Sequence, residues 1–283
     1  MPQEATRQAG LTVVPLTASV GVDSYVDGID RPGEELNRDL GRSGRVMTSR
    51  PSPQVFLDHY ERLAEAGASE VLSIHLSSAL SGTYDSARIA GQVASLPVHT
   101  VDSATMGAGL GNAVMDALAC VSAGGSSSEA AAVATESGRT TRVLFCVASL
   151  DFLHRGGRIG AASAFLGAAL SIRPVLELSA GRIMPLEKTR TMKQAVARLT
   201  DLVDLQLGRD TAVYSLFGPP RVVVHHVAAP DRARILADAL SARCADHVAE
   251  PPMVQELGLV AAAHLGPGAV GVVISPPRHR SGR

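Results

Sequence analysis

The stretch Val71-Leu-Ser-Ile-His-Leu-Ser-Ser-Ala-Leu-Ser-Gly-Thr-Tyr84 decides the fold. Its first six residues read as a buried strand, its next turn is small and rich in hydroxyls, and a helix with Ala87, Ile89 and Val93 as apolar positions runs from about residue 81 to 93. The same alternation extends both ways. Upstream, residues 11–16 read as a short buried strand. Ser52-Pro53 reads as an N-cap and a first-turn proline, leading a helix in which Val55, Phe56, Tyr60 and Leu63 recur and Gly67 is the stop. Downstream come a strand at 98–101, a helix at 107–121 ending at Gly124-Gly125, a helix capped by Ser128 and running through Glu136, and a fourth strand at 142–147. Strands alternating with helices predict an α/β domain, a parallel sheet with helices on both faces.

The second half reads differently. Residues 173–178 and 182–187 flank Ser179-Ala-Gly181 as a hairpin, and a long amphipathic helix follows near 192–207. A strand at 222–226, a helix near 231–243 and a last strand near 270–274 complete an α+β domain. The expected organisation is an N-terminal domain over 1–152, a C-terminal domain over 153–274 and a disordered basic tail over 275–283, with the ligand cleft between the domains.

Composition narrows the function. The 283 residues carry 26 basic and 27 acidic side chains, net −1, with no Trp, 4 Tyr and 5 Phe. Neither the basic excess of a nucleic-acid binder nor a base-stacking platform is present. Cys120, Cys146 and Cys244 form no C-x-x-C, which argues against zinc clusters and disulfide frameworks and fits a reducing cytoplasm. The first ten residues are polar and lack an apolar signal core. The most apolar run, residues 160–172, is well short of the ~20 residues that span a bilayer. It reads as a buried helix, or as one lining an apolar cavity or resting near a membrane surface.

Several motifs carry little. Gly107-Ala-Gly-Leu-Gly-Asn112 has asparagine where a dinucleotide fingerprint needs glycine, so close approach of helix and strand explains it better. His225-His226 lie at adjacent strand positions, poorly placed to share a metal. Two turns carry more: Thr48-Ser-Arg-Pro-Ser52 and the turn holding Ser77, Ser78, Ser81 and Thr83. Both precede helices, where backbone N–H groups can hold an anion. Ordinary capping uses one or two hydroxyls and leaves others spare.

In order along the chain, Val13-Val-Pro-Leu-Thr17, Tyr25-Val-Asp-Gly-Ile-Asp30, Thr48-Ser-Arg-Pro-Ser52, Ile74-His-Leu-Ser-Ser-Ala-Leu-Ser-Gly-Thr-Tyr84, Val101-Asp-Ser103, Arg155-Gly-Gly-Arg-Ile-Gly160, Pro185-Leu-Glu-Lys188 and His264-Leu-Gly-Pro-Gly268 resemble the DegV family and its FakB-type fatty-acid-binding members. The resemblance implies one long-chain fatty acid between two domains, with its carboxylate held by Thr48 and Ser81 and with His264 near the head group. It implies no catalytic residue, no metal and no cofactor beyond the bound acid. FakB-type proteins present that acid to a fatty-acid kinase that makes an acyl phosphate for phospholipid synthesis, and Arg190 would lie on the surface offered to it. A transient membrane contact fits the same role; a nucleic-acid partner does not. Arg155 and Arg158 would attract the anion or pin the interdomain turn. The family opens with a strand and a T-D-S-T motif, which this chain is expected to lack. The connection at 211–220 looks longer than usual.

The physics agrees with such a site. A chain of ~16 carbons gains about 0.8 kcal/mol per buried methylene, roughly 10 kcal/mol before ordering costs. Residues 161–170 are expected to supply apolar wall. Hydroxyls of Thr48 and Ser81 and N–H groups near Gly82 would offset burial of the carboxylate while leaving it chemically available. The alternative is a serine hydrolase using Ser81 or Ser78 with His75 or His264, weakened by the absence of a G-x-S-x-G elbow. A protein that holds its lipid permanently, and a nucleotide enzyme, stand behind it.

Overall fold

The computed structural model describes residues 11–20, 22–30, 46–165, 172–248 and 250–277. It is an α/β structure in which helices pack on both faces of a parallel sheet, joined to a larger mixed sheet.

A small antiparallel sheet comes first, with strands β1 (Thr17–Val20), β2 (Asp23–Val26) and β3 (Val46–Ser49) in the order β2-β1-β3. The segment 11–16 forms no strand; Thr12 and Val13 are exposed, Val13 by 61%, and the other four are half-buried. Next comes helix α1 (Pro53–Glu65), whose N-cap Ser52 accepts from the Val55 N–H. It buries Phe56 and Tyr60. Then follow β4 (Val71–His75), α2 (Thr83–Gly91), β5 (Val98–Asp102), α3 (Ala108–Ser122) and α4 (Ser127–Thr140). Strands β4 and β5 pair in parallel, with α1 and α2 packed on one face and α3 and α4 on the other. In α2 the packing residues are Ala87 and Ala90, while Ile89 and Val93 stand outside. Ser126, two residues before the expected cap, closes a capping box with Glu129, and α4 runs on to Thr140.

The expected fourth strand belongs elsewhere. β6 (Arg142–Cys146) lies inside a six-stranded sheet ordered β10-β9-β11-β6-β7-β8, antiparallel to both neighbours. Sheet membership therefore changes between β5 and β6, before residue 152, and the parallel sheet has two strands among the described residues. The reason is pairing partners: β6 buries both faces, which only a central strand of a covered sheet needs. A short helix α5 (Asp151–Arg155) and a 3-10 turn (Gly160–Phe165) follow. The rest of the expected helix, 166–171, lies outside the described residues.

β7 (Arg173–Ser179) and β8 (Arg182–Thr189) form the predicted hairpin. Its turn places Ala180 and Gly181 at φ 47° and 76°, the left-handed pair that matches strand twist. The remaining elements are α6 (Met192–Arg209), α7 (Thr211–Phe217, the long connection), β9 (Arg221–His226), α8 (Pro230–Arg243), β10 (Met253–Glu256), α9 (Leu259–Leu265) and β11 (Val270–Ser275). Ser275 ends β11 and is 1% exposed, so it is sheet rather than tail; residues 278–283 lie outside the described set.

Strand alternation divides the large sheet. Leu144 and Cys146 pack under α6 and α8, and Val143 and Phe145 face the opposite way. That second face looks toward the N-terminal elements and forms the floor of the cavity described next.

Candidate functional site

A cavity of about 630 Å³ lies between the β3, α2 and α3 ends of the N-terminal half and the large sheet with α9. It continues into a second space of about 40 Å³, sharing Met106, Gly107, Ile183, His225, Leu257 and Leu265 with it. The first has a polar end carrying Thr48, Arg50, Ser81, Gly82, Arg158 and His264. The second is walled by Val143, Phe145, Leu178 and Val273. Gly271 stands opposite Phe145, where a Cβ would crowd the ring's own Cβ at 2.8 Å. The sheet floor supplies apolar wall; of the segment 161–170 also expected to supply it, residues 166–170 lie outside the described residues and Ala162 is buried in the adjoining core.

Thr48 sits on β3 by pairing with Ala18 of β1, and α9 brings His264 up beside it. Thr48 Oγ1 and His264 Nε2 are 2.9 Å apart. His264 Nδ1 is buried without a hydrogen-bond partner among the described residues. An unpaired N–H is dearer than an unpaired acceptor, which assigns the ring hydrogen to Nε2, donating to Thr48. The Thr48 hydroxyl hydrogen is then free to point into the cavity. Burial, and secondarily the positive charge of Arg158, push the His264 pKa down to about 4, so the ring is neutral near pH 7.

Ser81 lies on the same wall. Its Oγ is 2.7 Å from Thr83 Oγ1 and accepts from the Thr83 N–H at 3.3 Å. Gly82 is the N-cap of α2 and makes no side-chain cap. Of the two roles expected of Arg158, the hydrogen bonds show the turn-pinning one. It lines the cavity, and it pins the turn by donating from Nε to Leu80 O at 2.9 Å and from Nη1 to Gly156 O at 2.6 Å. Arg155 is exposed and does not line the cavity, with its guanidinium 4.8 Å over the Phe152 ring. Arg190 is exposed just before α6, outside the cavity. Of the other turn hydroxyls, Ser77 donates to Gly181 O at 2.7 Å and ties the turn to the hairpin tip. Ser78 is exposed, and its backbone N–H reaches Asp102 at 3.2 Å.

These pairings bear on the hydrolase alternative. Among the described residues neither Ser81 nor Ser78 is hydrogen-bonded to a histidine: His264 faces Thr48, and His75 Nε2 lies 2.8 Å from Ser73 Oγ.

Among the lining residues that the sequence did not assign to the site are His225, Asp27 and Arg50. His225 Nε2 accepts the Ala108 N–H at the start of α3 at 2.9 Å, and Nδ1 faces Gln255 O at 3.3 Å, so the ring hydrogen is on Nδ1. Burial pushes its pKa down to about 4. Gly107 makes this possible: it has φ 58° and a Cβ there would stand 3.0 Å from His225 Nε2. The glycine run is a close-approach device, as its sequence suggested. Asp27 accepts from the Val260 N–H at the start of α9, and desolvation raises its pKa. Arg50 was visible within T-S-R-P-S, but nothing local said where its side chain would go.

A family model, DegV, described as an uncharacterised protein of the DegV family, matches residues 1–277. A DegV domain-containing protein of Streptomyces coelicolor is 41% identical over 279 residues, covering 97% of this chain and 94% of that one. A solved structure described as fatty acid binding of a DegV family protein from Thermus thermophilus matches at TM-score 0.84 and 33% identity, over 98% of this chain and 95% of that one. DegV of Bacillus subtilis, described as a fatty acid binding protein, matches at TM-score 0.83 and 29% identity, over 97% and 95%. The chain belongs to the DegV family.

Proposed function

We propose that this protein is a non-enzymatic carrier of one long-chain fatty acid, held with its carboxylate at Thr48 and Ser81 and its tail over the large sheet. The carrying observation is the cavity itself, with hydroxyls and arginines at one end and an apolar continuation under the sheet at the other. Its volume falls within the roughly 300–1,000 Å³ of small-molecule sites. Burying the tail supplies affinity. Thr48, its hydroxyl oriented by His264, and Ser81 offset the desolvation of the carboxylate. The relatives described as fatty acid binding support the ligand class.

The finer reading is FakB-type: the protein works in the cytoplasm, presents the bound carboxylate to a fatty-acid kinase for acyl phosphate formation, and meets that kinase through the exposed surface around Arg190. A transient membrane contact would load it. The resemblance in motifs supports this reading. The test is native mass spectrometry of the purified protein, then delipidation and reloading with labelled hexadecanoate. A co-purified acid in one-to-one ratio, exchanging within minutes, is the expected result. A protein that neither carries nor takes up acid overturns the proposal. Arg190→Ala is expected to keep acid binding and to slow phosphorylation of the bound acid by the kinase.

A further inference from the structure

Gly82 has φ −73° and ψ 14°, open to any residue, so the backbone does not require glycine there. What a side chain would meet is Arg50: a Cβ on residue 82 overlaps its guanidinium. The side chain leaves the segment between β3 and the Ser52 cap and rests on the bare backbone at Gly82, lining the same cavity as Thr48 and Ser81.

Arg50 differs from Arg158 in having no hydrogen bond or ion pair with any described residue. The carboxylates on the same cavity wall are engaged elsewhere. Asp27 takes the Val260 N–H, and Glu256 takes the Ala228 N–H beside His226. A planar guanidinium with five donors, lining the cavity with no carboxylate among the described residues paired to it, fits a bidentate oxyanion. A neutral hydroxyl or ester offers it one weak acceptor and no charge.

We infer that Arg50, with Gly82 as its seat, sets the charge preference of the cavity: the guanidinium pairs with the ligand's carboxylate, so long-chain acids are taken and neutral lipids of the same length are passed over. The inference rests on the fatty-acid reading above and adds a specificity residue to it.

The test compares hexadecanoate with hexadecanol on the full chain, as wild type, Arg50→Gln and Gly82→Ala. The wild type is expected to prefer the acid by about tenfold or more, the worth of one charged hydrogen-bonded contact. Arg50→Gln is expected to lose most of that preference through weaker acid binding, with alcohol binding unchanged within twofold. That unchanged value also reports an intact cavity. Gly82→Ala is expected to shift the preference the same way by displacing the guanidinium, and the double variant to add nothing further. If Arg50→Gln keeps the wild-type preference, the assignment of Arg50 is overturned and the carrier stands. If wild type binds neither probe, the fatty-acid reading falls and takes this assignment with it.

Discussion

At the residue scale, the polar end of the cavity rests on a few hydroxyls whose hydrogen directions follow from their neighbours. Thr48 is expected to be a donor because His264 Nε2–H takes its lone pair. Thr48→Ala and Ser81→Ala should each weaken acid binding by roughly 1–3 kcal/mol, measured by titration, and the double variant should lose more than either. An unchanged affinity in the double variant removes the carboxylate from this end. Five of the seven residues singled out from the sequence line this cavity: Thr48, Ser81, Gly82, Arg158 and His264. They were legible because short motifs fix them on turns. Arg50 and His225 were not, because their roles depend on which distant backbone they meet: Gly82 for one, the Ala108 N–H for the other.

At the element scale, the β7–β8 hairpin and its partner turn make one joint. Gly181 supplies a φ of 76° and also the space that Ser77 Oγ fills while donating to the Gly181 carbonyl. Gly181→Ala meets both obstacles, a left-handed backbone and an occupied site, and should cost about 1–3 kcal/mol in denaturant unfolding. Ser77→Ala should cost about 1 kcal/mol. A neutral Gly181→Ala would show that the turn relaxes freely. Helices and the hairpin were legible from apolar spacing, caps and turn residues. The pairing of β6 was not, because Arg142-Val-Leu-Phe-Cys146 reads equally well beside β5 or beside β11; long-range ladder partners leave no local mark. β10, Met-Val-Gln-Glu, was missed because a four-residue, half-polar edge strand has no period to detect.

At the scale of the whole molecule, buried neutral histidines link stability to pH. His75 and His225 are each 7% exposed, and burial brings each pKa from the usual 6.5 down to about 4. The unfolded chain binds protons below pH 6.5 that the folded chain refuses until about pH 4. Their contribution is therefore complete above about pH 6.5 and is lost as pH falls toward 4, up to about 3 kcal/mol per ring. Melting temperature should drop between pH 7 and 4.5, and His75→Gln should flatten that slope; an identical slope in the variant would discard His75 as a contributor. One buried ion pair also holds the halves together. Arg221 of β9 grips Asp116 of α3 through two nitrogens, at 2.9 and 2.6 Å, while Ser137 donates to the same carboxylate. Arg221→Ala leaves that buried carboxylate without its cation, with the Ser137 hydroxyl still donating to it, and should destabilise by about 3–5 kcal/mol in chemical denaturation.

The Ser77–Gly181, Arg158–Leu80, Ala108–His225 and Thr48–His264 contacts are polar stitches along a rim. Among the described residues, no ladder runs from the parallel sheet to the six-stranded one. The seam can thus gape while every strand keeps its neighbour, and a guest carried as proposed above is expected to exchange on the timescale of breathing instead of that of denaturation. Deuterium should enter the amides of residues 76–82 and 105–109 well before those of β11, and a lodged guest should slow that entry.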